Sequence, residues 1–169
     1  MSALLSPAPR RPGTPLDRSD LVELVADIAR ERDSWSSLVR HGAARRWWTR
    51  LVRNAEVDVW LITWPAQEAT DLHDHGASVA ALTVVEGELE QVLASRSGQL
   101  RRDSLRPGTV LTVEPTAVHD VRNPTRSAAV SIHAYSPPLE QMTFYDSHPG
   151  GLSSVRTVRG NEPELEHPW

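Results

Sequence analysis

The chain of 169 residues contains no cysteine. That absence excludes disulfides, thiolate metal ligands, thiol nucleophiles and redox thiols together, so any metal here must be held by imidazole or oxygen. An excess of positive charge is also missing: 18 Lys and Arg stand against 22 Asp and Glu, for a net charge of −4. Such a balance leaves no electrostatic footprint for nucleic acid. No apolar run approaches the roughly 20 residues that span a bilayer. The opening MSALLSPAPRRPGTP has only a stub of apolar residues and no charged region before it, so it does not read as a signal peptide. Cytoplasmic residence is the expectation, with no membrane or nucleic-acid partner. The length suits one domain with a real core, working as a monomer or weak homo-oligomer.

Residues 1 to 16 hold four prolines and few core-forming side chains, which predicts a disordered arm. Asp17 then opens a helical pattern in which Leu21, Leu24, Val25 and Ile28 fall on one face. Ser19 or Asp20 is the expected N-cap, with acidic residues early and Arg30 and Arg32 late. A second short helix is expected around Trp35 to His41, ending at Gly42.

From Trp47 the hydrophobic period changes to two. VDVWLITW, AALTVVEGELEQVLA, TVLTVE and AAVSIHAYS read as strands. Turn signals separate them at Glu86-Gly87, Ser97-Gly98, Pro107-Gly108 and Asn123-Pro124. Short strands at this spacing, without intervening helices, indicate an antiparallel barrel or sandwich. The domain is expected to run from 17 to 146, with 147 to 169 as a Gly-, Ser-, Pro- and Glu-rich tail on or trailing from the surface.

Seven histidines occur, and three stand out by spacing. His73 and His75 are two apart in an extended segment, so their side chains share a face with Cα atoms roughly 6.8 Å apart, and Asp74 points the other way. Both imidazoles could bind one metal at about 2 Å. His119 lies before another strand, which a jelly roll would bring beside the first. Burying two adjacent imidazoles needs a reason, because their ring nitrogens must be satisfied. His41, His148 and His167 have no such company and read as surface or hydrogen-bonded residues.

PAQEATDLHDHGASVAALTVVEGELEQ followed by LRPGTVLTVEPTAVHDV resembles the two cupin motifs, which implies an all-β jelly-roll barrel behind the short N-terminal helices. Many cupins add a carboxylate ligand after three or four intervening residues past the pair, where Val79 and Ala80 stand here. Three neutral imidazoles around a divalent ion leave a net 2+ charge, suited to anionic donors from a substrate.

SIHAYSPP at 131 to 138, HDHG at 73 to 76 and His119 with its following NP turn resemble the cysteine dioxygenase family of thiol dioxygenases over roughly residues 47 to 146. The resemblance implies an Fe(II) centre on His73, His75 and His119, with a small thiol and dioxygen as reactants and a sulfinic acid as product. It also implies a hydrogen-bonded row of Ser131, His133 and Tyr135 beside the substrate; period two alone puts these three on one strand face. Arg50, in WWTRLV, matches the arginine that grips the substrate carboxylate, a job its bidentate fork suits, though Arg45, Arg46 and Arg53 stand close enough to compete. A cysteine that some members cross-link to the tyrosine corresponds to Ala80, so no cross-link can form here. Trp47 and Trp48 stand where smaller residues or tyrosine are frequent, and their bulk leaves the thiol open. L-cysteine is the first choice, 3-mercaptopropionate the next. A non-catalytic ligand-binding cupin and a zinc-dependent isomerase or hydrolase are the readings from other classes, since imidazole suits zinc and iron alike.

Overall fold

A computed structural model of the chain describes residues 13–160. Helix α1 (Arg18–Arg30) is capped by Asp17, whose side chain accepts from the Asp20 backbone N–H, while the Asp20 side chain answers to the Asp17 N–H. The cap therefore sits before the expected Ser19 or Asp20, with Asp20 at the third helical position closing a capping box on Asp17. Leu21 and Val25 are fully buried, with Leu24 and Ile28 half-buried beside them.

The second helix expected at Trp35 to His41 is absent. Two 3₁₀ turns, Arg32–Ser34 and Ser36–Leu38, stand there, and the backbone is extended again at Val39. Trp35 causes the break. Its indole is buried and bonds back to the Ile28 carbonyl at 3.1 Å, which pulls its backbone out of helical geometry, to a φ of −134°.

Eleven strands follow: β1 (Trp47–Arg53), β2 (Asp58–Trp64), β3 (His73–Asp74), β4 (Val79–Glu86), β5 (Leu89–Ala94), β6 (Leu100–Leu105), β7 (Val110–Val113), β8 (Val118–Arg122), β9 (Ala129–Ser136), β10 (Gln141–His148) and β11 (Gly151–Arg159). They form two antiparallel sheets, ordered β1-β2-β9-β4-β7 and β11-β10-β3-β8-β5-β6. The late strand β9 inserts between β2 and β4, the crossed connection of a jelly roll. Gly87 makes the tight β4–β5 turn at a φ of +74°; a Cβ there would lie 2.9 Å from the Ala128 carbonyl oxygen.

Of the tail expected at 147 to 169, residues 161–169 lie outside the described residues, and most of 147–160 is strand. β11 pairs with β10 from Gln141↔Arg159 to His148↔Gly151 and finishes the six-stranded sheet. Its hydroxyl-rich sequence suits an edge strand with one wet face, a pattern that composition alone does not separate from a loop. Of the arm expected at 1 to 16, residues 1–12 lie outside the described residues. The rest is docked: Gly13 N–H reaches Glu56 at 2.7 Å, and Leu16 N–H reaches Ser136 Oγ at 2.6 Å.

Two cores result. Between the sheets lie Trp60, Ile62, Leu82, Val84, Leu105 and Phe144 with their neighbours. Outside the five-stranded sheet, α1 and Trp35 cover Val59, Leu61, Ile132 and Ala134. The alternation along β2 and β9 thus separates a helix-covered outer face from an inner face that looks across the barrel.

Candidate metal centre

His73 and His119 are direct partners across β3 and β8, and His75 follows β3 immediately. The ligating nitrogens of the three rings lie within 4.8 Å of one another, and all three residues are buried. Each ring is aimed. His73 Nδ1 is 2.7 Å from the Asp71 carbonyl oxygen, so it carries the proton and leaves Nε2 bare. His119 Nδ1 is held at 3.1 Å by Gln91 Oε1, which directs its Nε2 to within 3.3 Å of His75 Nε2. His75 Nδ1 is buried without a hydrogen-bond partner among the described residues.

Asp74 points outward as its place between the pair requires. It accepts from the Gly76 N–H at 2.9 Å and from the Tyr145 hydroxyl at 2.6 Å. Burial and that bond to Asp74 push the Tyr145 phenol up to about 12. The brace fixes the backbone from which His73 and His75 project.

Burial lowers the basicity of all three rings. His73 falls to about 4, against the raising effect of the Asp71 carbonyl; His75 and His119 are lowered well below the ordinary histidine range, chiefly by desolvation. Three neutral imidazoles converging on one point fit a divalent cation: His73 and His119 have their second nitrogen tied to protein oxygen, which turns the lone pair of the other nitrogen to the centre. Among the described residues the cluster includes no carboxylate.

Across the barrel, Ser131, His133 and Tyr135 lie on the inner face of β9. Ser131 Oγ is 2.8 Å from His133 Nε2, and His133 Nδ1 is a long 3.4 Å from the Tyr135 hydroxyl. The Tyr135 ring stands edge-on to His75, with centroids 4.9 Å apart. Ala80 is the Cα partner of Tyr135 across β4 and β9. Ile62, Trp64, Thr70 and Val121 complete a pocket that the three histidines line together with His133 and Tyr135.

Arg50 sits at the edge of that inner face. Its Nε donates to Asp58 Oδ1 at 2.9 Å, and its guanidinium stacks 4.2 Å from the centroid of Trp60. Asp58 is fully buried, also bonds Arg53, and is the Cα partner of Tyr135 across β2 and β9. Arg46 lies over Trp64 at 5.1 Å and donates to the Ala69 carbonyl at 3.0 Å; its charge further depresses His73 and His133. Trp48 packs edge-on against Trp60, at 4.7 Å, and Trp47 lies under Arg40. Neither tryptophan lines that pocket.

His41 is exposed beside Glu86, and exposed His148 bonds the Gly150 N–H, so neither joins the cluster. His167 lies outside the described residues. Gln91, Asp58, Trp64 and Tyr145 escaped the sequence reading. Gln91 had a readable signal: it interrupts the apolar alternation Leu89-x-Gln91-x-Leu93, an amide at an inward position.

The cysteine dioxygenase type I family matches residues 16–148. A cysteine dioxygenase type 1 from Danio rerio is 25% identical over 113 residues, 61% of this chain and 56% of that protein, so the match spans little more than half of the relative's length. The fold is shared with oxalate oxidase, at a TM-score of 0.55 and 13% identity over 66% of this chain and 61% of that one. A double-stranded β-helix protein from Klebsiella pneumoniae superposes with a TM-score of 0.52 and 16% identity over 72% and 93% of the two chains. A cupin superfamily protein from Desulfitobacterium hafniense gives 0.52 and 14% over 61% and 87%. These structural likenesses establish the cupin jelly roll, and the match from α1 through β10 establishes the rest: the chain belongs to the cysteine dioxygenase type I family.

Proposed function

We propose that this chain is an iron(II)-dependent thiol dioxygenase that converts a small carboxylated thiol, L-cysteine first, and dioxygen to the sulfinic acid. One observation carries the reading: three buried imidazoles, with no carboxylate in the cluster among the described residues, share one pocket with His133 and Tyr135, the inner members of a Ser131-His133-Tyr135 hydrogen-bonded row. His73, His75 and His119 would hold the ion. Bound iron(II) supplies the open-shell chemistry that lets a spin-paired thiolate combine with triplet dioxygen, which zinc cannot supply.

The chain's own residues do the rest. Tyr135 orients the reactants through its hydroxyl. His133 holds Tyr135, and Ser131 holds His133. The pocket walls of Ile62, Trp64 and Val121 exclude bulk water, which strengthens each polar contact inside. Arg50 receives the substrate carboxylate on its fork, its rotamer fixed by Asp58 and the face of Trp60. 3-Mercaptopropionate offers the same thiol and carboxylate without the amine and is the second candidate substrate.

Oxygen uptake and sulfinate formation by iron-loaded protein, measured with cysteine, 3-mercaptopropionate and cysteamine, test the reading. Cysteine is expected to give one sulfinate per dioxygen. Tyr135→Phe is expected to keep metal content and fold, losing roughly 0.5–1.5 kcal/mol for the hydrogen bond, while its rate and its sulfinate-to-oxygen ratio fall. No thiol-dependent uptake with any of the three would leave a ligand-binding cupin in place of the enzyme.

A further inference from the structure

The polar row on β9 does not end at Ser131. Trp64, the last residue of β2, sends its indole N–H to Ser131 Oγ at 2.8 Å. Four buried side chains therefore run in series: Trp64, Ser131, His133 and Tyr135.

The first of them fixes the direction of the others. An indole N–H only donates. Ser131 Oγ accepts from it, and the hydroxyl has one hydrogen of its own to place. Its partners among the described residues are Trp64 and His133, so that hydrogen goes to His133 Nε2. The reverse order, with Nε2–H donating to a hydroxyl that already accepts from Trp64, would strand a buried hydroxyl hydrogen with no acceptor. A neutral imidazole with Nε2 accepting carries its proton on Nδ1. Nδ1–H then donates to the Tyr135 oxygen, and the Tyr135 hydrogen is left for a partner other than His133.

We propose that Trp64 is a positioning residue: by terminating the chain with a group that can only donate, it fixes His133 as the Nδ1–H tautomer and presents Tyr135 to the site as a proton donor. The neutrality that this requires is supported by the surroundings of His133, where burial, with His73 and Arg46 nearby, lowers the ring to about 3. The consequence for turnover rests on the proposed role of Tyr135; the direction of the chain does not, and is measured separately.

Protein labelled with ¹⁵N in its histidine rings, loaded with zinc(II) as a diamagnetic substitute for iron, would give the tautomer from two-bond ¹H–¹⁵N correlations. The His133 signals are those lost in His133→Gln. Wild type is expected to show a protonated Nδ1 and a bare Nε2. In Trp64→Phe the smaller ring leaves space for a water that can accept as well as donate, so both tautomers are expected in comparable amounts. Iron-loaded Trp64→Phe should then form less sulfinate per dioxygen. Ser131→Ala keeps the indole packing, removes the donor to Nε2, and should also lose the single tautomer, which covers the case in which Trp64→Phe fails to fold. A protonated Nε2 in wild type would overturn the direction. A single Nδ1–H tautomer persisting in both variants would overturn the part given to Trp64. The expected tautomers alongside full turnover in Tyr135→Phe would uphold the chain and remove the catalytic reading instead.

Discussion

All eight residues of β9 are buried, yet its two faces have opposite chemistry. Val130, Ile132 and Ala134 turn outward under α1 and Trp35, in a wholly apolar layer. Ser131, His133 and Tyr135 turn inward, each with polar atoms that had to be taken out of water. The outer face gains from burial at about 25 cal/mol per Å² of apolar surface, and the inner face recovers its desolvation only through hydrogen bonds. The contrast divides labour within one strand. The outer face holds the fold, and the inner face, with the imidazoles of the opposing sheet, is kept at the fold's expense.

The strongest way to break that division is to remove a ligand from the inner side. His119→Ala, and equally His73→Ala or His75→Ala, should abolish tight iron binding from an expected one ion per chain, while the metal-free protein keeps its far-ultraviolet circular dichroism. Two imidazoles cannot set the geometry that three converging ones define. Full iron occupancy in any of the three would show that its histidine is not a ligand.

Acid should load the same face from within. His73, His75, His119 and His133 all have folded values below the ordinary 6.5, His73 at about 4 and His133 at about 3. Below pH 6.5 the unfolded chain binds protons that the folded one refuses, so the stability of the metal-free protein falls as pH drops. Each such imidazole contributes about 1.4 kcal/mol per pH unit, and the loss levels off only below each folded value. Urea midpoints between pH 7 and pH 4.5 measure it, and replacing His133 by Gln should make the dependence shallower. An unchanged slope would mean that His133 is not carried neutral.

On the outer face the prediction inverts. Ile132→Ala should cost about 2–5 kcal/mol, the usual range for a fully buried aliphatic truncation, read from urea unfolding. Sulfinate formed per dioxygen should be unchanged below the unfolding transition. A loss of coupling without a loss of stability would show that the helix-covered face reaches into the site.

The same two faces mark where the sequence was legible. Period two in AAVSIHAYS gave the strand and its two faces, because burial on both sides of this central strand still leaves an apolar row alternating with a polar one, whereas VDVWLITW was readable as a strand from its β-rich run alone. His73, His75 and His119 were readable from spacing and motif. Trp64 and Asp58 were not, because their partners lie 67 and 8 residues away and meet only through sheet register or a side chain bent back along a hairpin; Gln91 shows in the sequence as an inward amide, but its partner His119 lies 28 residues away. The 3₁₀ turns at 32–38 were missed because one tertiary contact, the Trp35 indole on Ile28, overrides local helical tendency. Strand β11 was missed because an edge strand with an exposed face has the composition of a loop.

Arg50 stands where the inner face meets solvent, and so gives the smallest and most discriminating effect. Its guanidinium already serves the fold through Asp58, which would otherwise be a buried carboxylate held by Arg53 alone. If it also receives the substrate, Arg50→Gln should lower kcat/KM for cysteine by about 10- to 100-fold, equivalent to the roughly 1.5–3 kcal/mol of a charge-assisted hydrogen bond. Most of the change should fall in KM. Cysteamine, with no carboxylate, should lose less, because it never used the fork. Arg53 remains to pair Asp58, so the stability cost should stay below that of Ile132→Ala. Equal losses with both thiols would assign Arg50 to the fold, on the side of Val130, Ile132 and Ala134. The anchor would then be sought at Arg46, whose charge reaches both His73 and His133 from its seat over Trp64.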